Sequence, residues 1–362
     1  MNVVILGLSI TSSWGNGHAT TYRGLVRALA RRGHRVTFLE RDVEWYRSNR
    51  DQPHPEGCAT HLYSSLAELK EERGGLVAEA DVVVVGSYVP EGAAVGAWAC
   101  ATARGLCAFY DIDTPVTLAG LARGDCAYLT PALVARYGLY LSFTGGPTLR
   151  RLEREFGSPM ARALYCAVDP ALYAPDPAAE PQHDLGYMGT YSDDRQPTVD
   201  RLLLAPARAW PAGRFMVAGP MYPDAIAWPP NVARVTHLAP REHRAFYAAQ
   251  RFTLNVTRAD MIAAGWSPSV RLFEAAACAT PIVSDWWPGL DELLAPGREV
   301  IIAHTAGDVL RALRDLPDAD RRAMGEAARA RVLAAHTADH RAAEFERYAA
   351  EALARSFQPA RP

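Results

Sequence analysis

Lysine is almost missing from this chain. Of its 38 basic residues only Lys70 is a lysine, so any anion the protein holds is held by arginine guanidiniums, backbone N–H groups or helix N-termini. An excess of either charge is missing as well. The 38 basic residues against 40 acidic ones leave a net charge of −2, which gives no electrostatic footing for a nucleic-acid partner. No apolar run reaches the roughly 18 residues that cross a bilayer. The start MNVVILGLSI lacks a basic stretch ahead of its apolar one and runs straight into polar residues, so it reads as a first strand and not a signal peptide. The six cysteines (Cys58, Cys100, Cys107, Cys126, Cys166 and Cys278) form no C-x-x-C pair and no Cys/His cluster at zinc spacing. They read as buried reduced thiols in a cytoplasmic protein.

What is present is the composition of an ordinary globular protein. At 362 residues, 49% hydrophobic and 22% charged, the chain has material for about two domains. Short apolar, β-branched runs alternate with amphipathic stretches throughout, the pattern of parallel sheets covered by helices. The expected strands of the first half are Val3–Leu8, Val36–Glu40, Val82–Ser87, Leu106–Asp111 and Leu139–Phe143. Tyr22, Leu25, Val26 and Leu29 place a helix between Thr20 and Arg32, stopped by Gly33. A proline-rich stretch without periodicity, residues 169–184, reads as a linker. Beyond it the expected strands are Leu185–Met188, Arg214–Ala218, Val232–His237, Phe252–Val256, Pro281–Ser284 and Glu299–Ala303, followed by two or three helices over Ala319–Ser356. The expected fold class is therefore α/β, with two Rossmann-like doubly wound domains facing a cleft and helices at the C-terminus. The domains would cover residues 1–168 and 185–340, and residues 341–362 would form a final helix that can cross back to the first domain.

Ligands of such sheets bind beyond the carboxyl ends of the strands, and four stretches there carry polar residues. The loop Gly15-Asn16-Gly17-His18 lets backbone approach a ligand at a helix N-terminus, or is a tight turn in which His18 is hydrogen-bonded. It is not a dinucleotide fingerprint: Thr20 stands where a third glycine belongs, and Glu40, at the end of strand two, is the candidate acid for reading a ribose. Asp111 and Asp113 close a buried strand at i and i+2, suited to gripping hydroxyls, moving a proton, capping a turn or joining a metal site. In the second half, Gly189 leads to Arg195, which either forks a phosphate or lies on the surface. Further on, Arg258 is followed by Ser267 as an expected N-cap, with Pro268 at the first helical position. Arg271 and Glu274 then fall one turn apart, close enough for an ion pair within the helix. Trp266, Trp286 and Trp287 either line a pocket or pack in the core, and Glu292 opens the next helix.

The block SPSVRLFEAAACATPIVSDWW with the following PGLDELLAPGRE resembles the donor-binding signature of GT-B glycosyltransferases. With WGNGHATTYRGL and YDIDTPVTL, the chain is most similar to the CgeB-like (spore-maturation) glycosyltransferase family, over nearly its whole length. The resemblance implies transfer of a sugar from a nucleotide diphosphate sugar, held by the second domain, to an acceptor hydroxyl or amine on a small molecule or glycan held mainly by the first. It implies that Glu274 binds the ribose hydroxyls, that Arg195, Arg258 or Arg271 neutralises the diphosphate, and that the helix start at Ser269 and Val270 adds N–H donors. Fixed positive groups aimed at a departing nucleoside diphosphate stabilise the transition state, so no metal or other cofactor is expected.

One departure bears on mechanism. Retaining relatives carry two glutamates eight positions apart, and the position eight before Glu274 is Trp266. An inverting enzyme needs a general base, for which His18, Asp111 and Asp113 are the candidates; His18 leads because imidazole titrates near working pH. A sugar-nucleotide epimerase or phosphorylase on the same architecture, and a non-catalytic nucleotide-sugar-binding or coat-assembly protein, are the competing readings. The arginine- and alanine-rich composition suggests a bacterial source.

Overall fold

The computed structural model describes residues 1–15 and 17–356. Its contacts divide the chain into two compact units, the first formed by Met1–Cys166 with the segment from Ala338 onward, the second by Ala167–Thr337.

The first unit is built on a seven-stranded, wholly parallel sheet. Its strands are β1 (Asn2–Gly7), β2 (Arg35–Arg41), β3 (Ala59–Tyr63), β4 (Val82–Gly86), β5 (Leu106–Asp111), β6 (Leu139–Ser142) and β7 (Ala161–Ala163), in the order β3-β2-β1-β4-β5-β6-β7. The central strands are apolar on both faces because helices cover both: Val82, Val83, Val84 and Val85 are all buried. Every helix of the unit crosses from one parallel strand to the next except the last. That helix, Ala338–Ser356, packs on helix Gly17–Arg31, where Glu346 receives Arg32 and His34, and Arg31 meets Asp339 at 2.9 Å.

The second unit has a six-stranded parallel sheet of β8 (His183–Met188), β9 (Phe215–Ala218), β10 (Val232–Val235), β11 (Gln250–Asn255), β12 (Ile282–Ser284) and β13 (Ile301–Ile302), ordered β10-β9-β8-β11-β12-β13. Helix Val270–Ala277 buries every residue from Arg271 to Ala277, and its alanine run lets it lie against helix Asp318–Ala335. In both sheets the strand order reverses beside the first strand, between β1 and β4 and between β8 and β11. A crevice opens at each such point beyond the strand ends.

Three expectations about organisation differ from the structure. Residues 169–184 do not stand apart as a linker. They belong to the second unit, where Tyr173 is buried, Arg244 donates to the carbonyls of Ala174 and Pro175 at 3.0 Å each, and the Gln182 N–H donates to Ala249 O at 2.8 Å. The unit boundaries fall at 166/167 and 337/338, so the last helix begins at Ala338 and not at 341. Strands β3 and β7 were not anticipated. Of the six cysteines, all free, only Cys107, Cys166 and Cys278 are buried; Cys58, Cys100 and Cys126 are half-buried.

Candidate active site

In the second unit, Arg271 spans the crevice where β8 and β11 diverge. Its Nε donates to Met188 O at 2.7 Å, on the end of β8, and its Nη1 to Asn255 Oδ1 at 2.9 Å, on the end of β11. The guanidinium lies 5.1 Å from the Tyr187 ring centroid, and the residue is 8% exposed. Gly189 follows directly. A Cβ there would sit 3.1 Å from Arg271 Nη2 and 2.6 Å from Tyr187 Oη, so only glycine leaves the guanidinium its place.

Arg195 comes from the loop after β8, held by Ser192 Oγ at 2.9 Å and Thr190 O at 2.6 Å. Burial, and then the positive charges of Arg271 and Arg258, pull its guanidinium below its ordinary value. Arg258, after β11, lies 3.8 Å from Asp194. Neither Arg195 nor Arg271 forms an ion pair with a carboxylate among the described residues. Asp194 acts on Arg195 only from a distance, and partly desolvated positive charge that is not directly paired is costly unless a ligand supplies the anion. The three guanidiniums expected from the sequence thus share one crevice, and the anticipated Arg271–Glu274 ion pair does not form.

The helix that carries Arg271 starts later than expected. Ser269, and not Ser267, is the N-cap of Val270–Ala277, with no side-chain cap bond of its own, because Ser269 Oγ donates to Asn255 Oδ1 at 2.8 Å. Ser267 and Pro268 are buried before the helix begins. Glu274 is 3% exposed, and its Oε2 accepts from Tyr247 Oη at 2.9 Å with His243 Nδ1 at 3.9 Å. Burial, the Glu274 charge and a hydrogen bond to it raise the Tyr173 hydroxyl well above its ordinary range. The carboxylate has about four acceptor positions, so these tyrosines orient it without using it up. Trp266 sits at a φ of 42° and leans on Gly289, whose Cβ would be 2.5 Å from Trp266 Cδ1. Trp287 is fully buried core, Trp286 is 41% exposed, and Glu292 is exposed on the helix Leu290–Leu293.

The first unit's crevice lies where β1 and β4 diverge. Here the sequence missed Glu40's role. Its fully buried carboxylate accepts from Ile10 N at 2.7 Å, Thr11 N at 3.0 Å, Thr11 Oγ1 at 2.6 Å and Ser9 Oγ at 3.1 Å. It is therefore a clamp on the loop after β1, not a ribose reader. Gly15 has a φ of 60°, Gly17 opens the helix, and Asn16 lies outside the described residues. His18 meets the Tyr88 ring edge to face, with centroids 5.4 Å apart. Burial lowers its imidazole to about 4, so it does not titrate near neutral pH as expected and is uncharged there.

The two acids after β5 behave differently. Asp111 is fully buried and saturated, accepting from Tyr140 Oη at 2.6 Å, Thr117 Oγ1 at 2.8 Å and Asp113 N at 3.2 Å. Burial raises its carboxyl to about 6. Asp113 is half-buried and accepts from Tyr88 Oη at 2.9 Å. Tyr88, which nothing in the sequence singles out, holds a left-handed φ of 62° and packs its ring tilted against that of Tyr128, with centroids 4.6 Å apart. A bulky residue in that region is strained, and such strain clusters at functional sites. Among the described residues no group of three or more His, Cys, Asp or Glu side chains is placed to hold a metal ion.

Residues 195–347 match the sequence family described as "Glycosyl transferase-like". No curated protein sequence matches the chain. Among solved structures, a sucrose-phosphate synthase from Thermosynechococcus elongatus superposes with a TM-score of 0.69 at 16% identity, covering 98% of this chain and 100% of the other. Anabaena HepE, in complex with UDP and glucose, gives 0.69 at 14% identity, covering 97% and 100%. An alpha-glucosyltransferase in complex with UDP-glucose and DNA containing an abasic site gives 0.70 at 13% identity, covering 97% and 99%. The chain carries a glycosyltransferase domain on a GT-B fold. Both expected sheets are present, with helices at the C-terminal end of the described residues. No helix among the described residues is long and apolar enough to cross a membrane.

Proposed function

We propose that this glycosyltransferase moves a sugar from a nucleoside diphosphate sugar, bound by the second unit, to a hydroxyl or amine of a small-molecule or glycan acceptor bound by the first. The observation that carries the reading is the pair Arg195 and Arg271, set in one crevice with neither in a salt bridge to a carboxylate among the described residues. A diphosphate supplies the missing charge, and guanidinium forks match its oxygens. Gly189 follows the end of β8, and the N–H groups at Ser269 and Val270 open the helix whose N-cap hydroxyl donates to Asn255 at the end of β11. Glu274, oriented by Tyr247 and Tyr173, accepts from the ribose hydroxyls with its remaining lone pairs. UDP in the HepE complex is a nucleotide of this chemical class.

As the glycosidic C–O bond breaks, the departing diphosphate gains negative charge. Groups already fixed at that place stabilise the transition state without reorganising. The same arginines make departure independent of a metal. On the first unit, neutral His18 takes the acceptor proton, and Asp113 grips the acceptor. Asp111, saturated by its donors, keeps the turn between them in shape. We assign the chain to the CgeB-like group on the stretches WGNGHATTYRGL and YDIDTPVTL, and to the bacterial cytoplasm on composition. The test is a panel of nucleoside diphosphate sugars incubated with the chain and candidate acceptors. Glycosylated acceptor with released nucleoside diphosphate is the expected result. Epimerised donor, or binding without turnover across the panel, would refute transfer.

A further inference from the structure

Away from both crevices, two thiols face each other across the first unit. Cys100, on helix Gly92–Thr102, and Cys107, on β5, place their sulfurs 3.2 Å apart in a shared hydrogen bond. Nothing intervenes at that distance. Cys107 is buried, whereas Cys100 is half-buried. The Arg136 side chain reaches the same helix, donating from Nη2 to Ala97 O at 3.2 Å. The hydrogen bond from Cys107 and the Arg136 charge favour the Cys100 thiolate, while the same bond and burial hold Cys107 protonated. The remaining titratable neighbour, Tyr137, is itself kept neutral by burial and by the two sulfurs. The arrangement therefore favours ionisation of Cys100 to the thiolate, the form that oxidants attack, and keeps a resolving thiol in contact with it at 3.2 Å.

We infer that Cys100 and Cys107 form an oxidative modification site, which a hydroperoxide converts reversibly into an intramolecular disulfide. The Cys100 thiolate attacks one peroxide oxygen and the O–O bond breaks. The departing oxygen takes up a proton as alcohol or water, and Cys100 is left as a sulfenic acid. The Cys107 sulfur then attacks the Cys100 sulfur, its proton leaves with the hydroxyl as water, and the S–S bond forms. Two thiols give up two electrons in all, and the peroxide is reduced by two. Closing from 3.2 Å to a bond of about 2.05 Å asks for about 1 Å of approach, within reach of side-chain rotation. The bond would tie β5, which ends at Asp111, to the helix that follows the Tyr88 turn.

The test treats the full reduced chain with stoichiometric hydrogen peroxide, followed by intact-mass and peptide mass spectrometry. The expected result is the loss of two hydrogens, a Cys100–Cys107 linked peptide and recovery by dithiothreitol. In Cys107→Ser, Cys100 should accumulate as a sulfenic acid that a cyclic 1,3-diketone traps, and in Cys100→Ser that adduct should be absent. Oxidation of Cys58 or Cys126 ahead of Cys100, or passage of wild-type Cys100 to sulfinic acid without the link, would overturn the inference. None of these readouts depends on sugar transfer.

Discussion

Replacing Arg271 with methionine removes the one cation that joins the ends of β8 and β11. The unligated chain loses hydrogen bonds at 2.7 Å and 2.9 Å to Met188 O and Asn255 Oδ1. It also sheds the repulsion from Arg195 and Arg258 that accompanies them, so the net cost to the fold should stay near 1–2 kcal/mol. The ligand loses more. A charge-assisted hydrogen bond contributes about 1.5–3 kcal/mol, and about 1.4 kcal/mol is tenfold, so nucleoside diphosphate affinity should fall roughly 10- to 150-fold. Denaturant unfolding at fixed ligand reads this directly. At a ligand concentration about 100 times the wild-type Kd the stabilisation is ~2.7 kcal/mol, and a roughly hundredfold weaker Kd reduces it to ~0.4 kcal/mol. An Arg271→Met chain that retains the full ligand-induced stabilisation would refute the reasoning, because the guanidinium would then have no part in holding the anion.

Glu274→Ala should weaken nucleotide binding by roughly 1–3 kcal/mol, the cost of unpaired ribose hydroxyls, with little change for inorganic diphosphate; calorimetric titration of both ligands separates the two. Tyr88→Phe keeps the ring on His18 and Tyr128 but frees Asp113 of its 2.9 Å donor; turnover should drop while donor KM and Tm hold, and unchanged kcat would remove Tyr88 from the acceptor side. His18 stays neutral in the folded chain down to about 4, against an ordinary 6.5, so the unfolded chain binds the extra proton between those values and stability is lost as pH falls through them. Asp111, raised to about 6 from 3.8, gives the opposite slope, losing stability as pH rises. The difference between wild type and His18→Gln in unfolding free energy should therefore grow from pH 4 to pH 6.5 and level off above; a flat difference contradicts the burial of the ring.

The layout of both sheets was legible because parallel strands covered on two faces read as continuous apolar runs, as in Val82–Val85. β3 escaped notice because Ala59–Tyr63 lies at the sheet edge and buries only Tyr63, and β7 because Ala161–Ala163 is three residues long. The arginines were legible as types: in a chain with one lysine, the cation that meets an anion is arginine. Their convergence was not, since it depends on Arg271 reaching backward to Met188 rather than along its helix to Glu274. Glu40 and Asp111 show the same limit from the other side. A carboxylate at a strand end looks the same in sequence whether it meets a ligand or, as here, is engaged by the N–H and O–H groups packed around it. Tyr88 left no trace because a left-handed φ at a non-glycine residue is imposed by its surroundings.

The central claim is that the guanidiniums at the ends of β8 and β11 hold the diphosphate of an activated sugar. Its most direct test is calorimetric titration of the chain with a nucleoside diphosphate and with the matching uncharged nucleoside, at low and high salt. The account predicts tight, salt-weakened binding of the diphosphate and far weaker binding of the nucleoside. Equal affinities for the two, unaffected by salt, would contradict it.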